Sequence, residues 1–271
     1  MRKLVFHFFI AKDWRENPVY NIHFNCLNYY KDCFDEAYFA LALEDQDDLD
    51  SLFDVRQKLM GIFSTLPKIT FEIIENDPIF YEGPTFKREI VDKLGEDKLV
   101  FFAHIKGVTN VKNEDPETVY RRICGLYYFS LEEEKSEGKL TRIFLKDVYT
   151  ISHGAFMTRF ISEYNFHNKY AWYYAGTFFW INTRRLKNYI KDNNIELPEY
   201  ADRYYDENFL GDIYPIFGIE ELKSDMIASS YKYKYVSNPS PNRIDFEWHL
   251  NFLIEGEEEK FNNFVKDMKK V

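Results

Sequence analysis

The chain has 271 residues, 45% of them hydrophobic and 19% aromatic, and a formal charge of −10 from 45 acidic against 35 basic side chains. That length suits one large α/β domain, and with only 11 Gly and 9 Pro the composition excludes a disordered, collagen-like or low-complexity chain. The acidic balance argues against gripping a phosphate backbone, so no nucleic acid partner is expected.

Lys3 to Ile10 reads as a buried first strand. Met1-Arg2-Lys3 and the apolar run behind it imitate a signal peptide, but the run is short, contains His7 and leads into Lys12-Asp13-Trp14-Arg15 with no small-residue cleavage site. Pro18 to Tyr30 carries Val19, Ile22, His23, Cys26, Leu27 and Tyr30 at helical spacing, with Pro18 suited to a first turn. Phe39 to Leu43 is a second strand. The acidic stretch Glu44 to Asp54 is expected to be a solvated loop running into a helix over Leu52 to Phe63. Ile69 to Ile74 is a third strand, Thr85 opens a helix through Leu94, and Leu99 to Ala103 is a fourth strand. Such alternation is the pattern of a mostly parallel sheet covered by helices.

A helix follows from Glu117 to about Lys135, with Val119, Ile123, Leu126, Tyr127 and Ser130 along one face, and Glu132 to Lys139 reads as a charged turn. Phe144 to Phe160 is ambiguous. Tyr173 to Ile181 reads as one apolar, aromatic strand with Gly176 inside it, a place where a ligand or backbone approaches closely; Arg184 to Lys191 continues as a helix. Beyond Pro215 the pattern weakens. Tyr231 to Tyr235 alternates like an exposed strand, Asn238 to Asn242 is a loop, and a final amphipathic helix over Lys260 to Lys270 buries Phe261, Phe264, Val265 and Met268. The division expected is a catalytic region over 1–215 and an extension over 216–271 packed on the same single domain.

Cys26, Cys33 and Cys124 are odd in number and too sparse for a disulfide framework, which favours a reducing compartment. No run approaches the roughly 18 apolar residues that span a bilayer. A cytoplasmic protein is expected, with peripheral contact at the inner face of a membrane left open.

The fourth strand ends in His104-Ile105-Lys106-Gly107, and in open α/β sheets ligands sit beyond the carboxyl ends of strands. The plainer account is a strand-end histidine bonded to backbone and a solvated lysine. Gly107 admits backbone geometries closed to other residues, and Thr109 and Asn110 add a hydroxyl and an amide, as a turn or a phosphate cradle would use. Arg121 and Arg122 either reach an anionic ligand or lie on a solvated helix face. No Gly-x-Gly-x-x-Gly, Walker loop, Cys-x-x-Cys or His-Glu-x-x-His spacing occurs, and Ser152-His153-Gly154 lacks a nucleophile-elbow context.

Three segments in order, Glu82-Gly-Pro-Thr85-Phe86, then Phe102-Ala-His104-Ile-Lys106-Gly107-Val-Thr-Asn110, then Tyr174-Ala-Gly176-Thr-Phe178-Phe179-Trp180, resemble a GT-A-like family of bacterial and viral sugar transferases. The resemblance runs from the first strand to about Asp212. It implies a GT-A-like, Rossmann-type fold and transfer of a sugar from a nucleotide-diphosphate donor to a glycan or lipid-linked glycan acceptor, in surface polysaccharide assembly.

A leaving nucleoside diphosphate develops negative charge, which needs preorganised positive charge or a metal. Where many transferases of this fold hold a cation with Asp-x-Asp, this strand end reads His104-x-Lys106. Lys106, with His104, is therefore expected to face the diphosphate, with Gly107 and Asn110 beside it; no metal ligand is assigned, and Mg²⁺ or Mn²⁺ stays open as a cofactor. Glu207 best matches the family's acidic residue and is the candidate general base, with Asp206 as its rival because Phe209 stands where the pattern has Trp. The plainer account of both is acids favoured in a helix's first turn. Gly176, Phe178 and Trp180 are candidates for the floor where donor sugar and acceptor meet, and Glu82 and Thr85 for a helix N-terminus beside the nucleotide pocket; Trp180 also reads as core, and Glu82 and Thr85 as a capping turn. The alternative of another class is a non-catalytic carbohydrate-binding or scaffold protein on a degenerate transferase fold. A sugar nucleotidyltransferase would carry a glycine-rich loop near the start, and that loop is missing.

Overall fold

The structure, a computed structural model, describes residues 1–76, 81–96, 99–108, 112–138, 152–154, 157–159, 172–174, 177–197, 209–210, 213 and 258–270. β1 (Arg2–Ile10), α1 (Pro18–Tyr30), β2 (Glu36–Leu43), α2 (Leu49–Ile62) and β3 (Ile69–Ile74) form two successive β-α-β units. β1 pairs in parallel with β2 from Lys3 opposite Glu36 to Ile10 opposite Leu43, and β2 pairs in parallel with β3.

The chain then returns through α3 (Gly83–Phe86), continued by a π-helical turn over Lys87–Val91, to β4 (Leu99–His104) on the other side of β1. Strand order therefore reverses at β1, which makes the space beyond the carboxyl ends of β1 and β4 a topological switch point.

α4 (Pro116–Glu137) leads to β5 (Ser152–Gly154), β6 (Met157–Arg159), β7 (Trp172–Tyr174), β8 (Phe179–Asn182), α5 (Thr183–Asp192) and α6 (Glu258–Met268). The main sheet has six strands in the order β3-β2-β1-β4-β8-β5, with β8 antiparallel to both neighbours, and β6 and β7 make a separate antiparallel pair. The mostly parallel α/β sheet expected from the alternation is present, and β8 makes it mixed.

β1 is buried on both faces, which is why its sequence is nearly continuously apolar. Leu4, Phe6, Phe8 and Ile10 enter a core shared with α1, α2 and α4, whereas Val5 joins Val100, Phe102, Phe179 and Ile181 under α3. Each such fully buried side chain stabilises by about 1.5–3 kcal/mol relative to exposure. α6 adds an aromatic layer outside the first core: Phe264 lies 5.2 Å from Tyr29 and 5.3 Å from Tyr128 between ring centroids, and Phe261 stacks on Phe129 at 5.3 Å.

Four expectations need correction. The single strand over 173–181 is two strands in different sheets, separated at Thr177, a β-branched residue at φ +58° that ordinary strand geometry excludes. The charged turn over Glu132 to Lys139 is mostly helix: α4 continues to Glu137, because Tyr30 donates to Glu132 and Arg2 reaches Glu134, and Gly138 at φ +60° follows it. The helix expected from Thr85 to Leu94 begins at Gly83, takes π geometry over Lys87–Val91 and stops short. The acids of 44–54 are not simply solvated, since Asp48 caps α2, Glu44 accepts from the Lys12 backbone, and Asp45 and Asp54 pair with Lys12 and Arg15.

The final helix falls where periodicity put it, and it buries Phe261, Phe264, Val265 and Met268. The expected strand at 231–235 and loop at 238–242 lie outside the described residues. Cys26, Cys33 and Cys124 are buried free thiols. No helix among the described residues is long and apolar enough to cross a membrane.

Candidate functional site

The parallel register sets His7 directly opposite His104 at the ends of β1 and β4. Strand alternation puts both on the face carrying Val5, Val100 and Phe102, toward α3. The start of α3 is shaped to meet them. Tyr81 turns the chain at φ +48°, Pro84 sits in the first turn, and Glu82 at the N-cap position makes no side-chain cap bond. The Glu82 carboxylate instead lies 3.3 Å from His104 Nδ1, and Thr85 Oγ1 lies 3.0 Å from His7 Nδ1. The capping turn read from sequence is thus a pair of side chains turned onto the sheet. Burial pulls His7 down to about 4, with His104 adding to the fall and Glu82 opposing it, so the imidazole is neutral at pH 7.

On the other face α1 fixes the strand end. His23, fully buried, lies 2.8 Å from the Tyr127 hydroxyl, and its Nε2 is 3.0 Å from the Lys106 carbonyl and 3.1 Å from the Lys106 amide. Burial holds His23 at about 3, so it carries one ring proton and uses one of those backbone contacts at a time. Asn17 caps α1 through the Val19 amide and donates to the Val108 carbonyl at 3.1 Å. Gly107 takes φ +85°, and a Cβ there would stand 2.9 Å from Val119 Cγ1, so its place is explained by the press of the turn onto α4. Lys106 is half-buried, and its ammonium makes no hydrogen bond or ion pair with a described residue.

Phe178 closes one side, its ring centroid 6.1 Å from that of His104. The adjacent Thr177 is buried in a left-handed conformation, a local strain of about 1–3 kcal/mol of the kind that clusters at ligand sites. Trp180 does not belong here. It is fully buried, packed against Phe34 and Phe101 with its Nε1–H donating to the Ser130 carbonyl, so it has no open face for a sugar ring.

Arg121 bonds Asn262 and lies over the Phe261 ring, fastening α6 to α4, and Arg122 pairs with Glu114. Asn110, Gly176, Asp206 and Glu207 lie outside the described residues. Phe209, two residues beyond Glu207, packs on Phe86 at 5.3 Å, beside Thr85.

The structure therefore brings together Glu82, Thr85, His104, Lys106 and Phe178, and adds His7, His23 and Asn17, which sequence reasoning passed over. The signal for His7 was its break in the apolar run of β1. A groove of about 450 Å³ between α1 and α2, lined by Trp14, Arg15, Phe53, Asp54 and Lys58 among others, shares no residue with this cluster.

Fold and site together define a mostly parallel α/β protein with a buried polar cluster at its strand-order reversal. No family model, curated protein or solved structure matches the chain.

Proposed function

We propose that the chain is a glycosyltransferase of GT-A-like architecture that moves a sugar from a nucleotide-diphosphate donor to a glycan or lipid-linked glycan acceptor. The supporting observation is the buried Glu82–His104 pair at the β1/β4 switch point, where open α/β sheets take their ligands, with Lys106 two residues beyond His104 and its ammonium bonding no described residue.

In this reading the acceptor oxygen attacks the anomeric carbon, the bond from that carbon to the diphosphate oxygen breaks with its electron pair going to the phosphate, and a carboxylate takes the acceptor proton. Glu207, or Asp206, supplies that carboxylate; the docking of Phe209 on Phe86 brings the chain just beyond them to α3. Lys106 meets the charge developing on the leaving group, a preorganised cation in place of water. Cytoplasmic location, one domain over 1–215 with its extension, and a role in surface polysaccharide assembly belong to the same proposal.

Thermal shift against nucleotide-diphosphate sugars, each with EDTA and with Mn²⁺, tests it. A donor at about 100 times its dissociation constant adds roughly 2.7 kcal/mol, a rise of several degrees. Stabilisation by one nucleotide family in EDTA, lost in Lys106→Ala, is expected. Stabilisation only with Mn²⁺ would remove Lys106 from its role, and none by any donor would favour a non-catalytic carbohydrate-binding protein.

A further inference from the structure

We infer that His7 binds the donor, its Nε2–H giving a hydrogen bond to a phosphate oxygen of the nucleoside diphosphate in the tautomer that Thr85 sets. This rests on reading the switch-point cluster as a nucleotide-sugar site.

His7 is 5% exposed, at the carboxyl end of β1 and in register with His104. Its Nδ1 is committed to Thr85 at 3.0 Å. Its Nε2 bonds no described residue and is not among the wholly enclosed polar atoms that lack a partner. A polar atom so deeply set is costly unless a ligand or water satisfies it.

A threonine hydroxyl both donates and accepts. When Thr85 donates to Nδ1, the ring proton sits on Nε2, and an N–H is what an acceptor-only phosphate oxygen requires. His7 stays neutral, so it contributes direction while Lys106 contributes charge. The neighbouring imidazole is arranged differently, since His104 has its Nδ1 beside the Glu82 carboxylate.

Two substitutions separate this role from a structural one. Glutamine sets its amide nitrogen near the place of a histidine Nε2, whereas asparagine sets its own near Nδ1. Titrations of UDP, GDP and dTDP by calorimetry in EDTA should show one of them binding the unaltered protein and His7→Gln within a few-fold, and His7→Asn about 10- to 100-fold more weakly, the range for a hydrogen bond to a charged group. A role confined to the Thr85 contact gives the opposite order. Nitrogen-15 spectra of the histidine-labelled unaltered protein should show the proton on Nε2 and a shift of that nitrogen when the nucleotide binds; they decide the matter if His7→Asn does not fold. A proton on Nδ1, or His7→Asn binding as tightly as the unaltered protein, overturns the assignment alone. Failure of the unaltered protein to bind any of the three overturns the nucleotide-sugar reading, and this assignment falls with it.

Discussion

At the level of single residues, Gly107 tests how far the strand-end turn is fixed by packing. Alanine there must accept φ +85° and press a methyl group to 2.9 Å from Val119 Cγ1. Gly107→Ala is expected to destabilise by about 1–3 kcal/mol, read as a lower urea midpoint with an unchanged slope. His104, Lys106 and Gly107 were legible in the sequence because they lie together at a strand end. His7 was not, because its partner Thr85 is 78 residues away and only the packing of α3 on the sheet brings them together. Trp180 shows the converse. An aromatic side chain in a β-rich segment suits a core and a sugar platform equally, and the difference is made by Phe34 and Phe101 closing on it from distant elements.

Elements were legible where periodicity met a boundary signal. Pro18 marks the start of α1, and the apolar runs of β1, β2 and β4 are short enough to be buried strands. The break inside 173–181 was hidden because the left-handed backbone angle at Thr177 leaves no mark in a segment so rich in aromatic residues. The π turn over Lys87–Val91 was equally hidden. It is anchored by tertiary contacts, Lys3 and Lys93 on Glu89 and Arg88 on Glu72. Asn17 serves two elements at once, capping α1 and holding the β4–α4 turn through Val108. Asn17→Ala should therefore cost about 1–2 kcal/mol in thermal or urea unfolding, and amides 106–108 should exchange faster with solvent.

At the scale of the whole molecule, two deeply buried neutral imidazoles among the described residues, His7 and His23, shape the acid response. In the unfolded chain both titrate near 6.5, whereas in the fold His7 waits until about 4 and His23 until about 3, mainly because burial penalises their charged forms. Between those limits the unfolded chain binds more protons, so stability is complete above about pH 6.5 and falls as pH drops toward 4. His7 alone accounts for roughly 3 kcal/mol across its window. Urea midpoints at pH 7.5 and pH 5 should differ accordingly, and His23→Gln should flatten the slope. Glu89, whose burial is outweighed by bonds from Lys3 and Lys93, is held below the usual carboxylate range and makes its own loss only at lower pH. The parallel half of the sheet was legible from alternation. The reversed β8 was not, since direction within a sheet depends on where connections cross.

The π turn after Thr85 has a consequence on the timescale of inheritance. An α-helix advances about 100° per residue, so five residues spent where four would close a turn shift the angular setting of everything upstream relative to Glu89. In the gene that difference is one codon. Losing it would leave Glu89 on its lysines while swinging Glu82 and Thr85 away from the two histidines, so one small deletion would part those contacts from an otherwise sound fold.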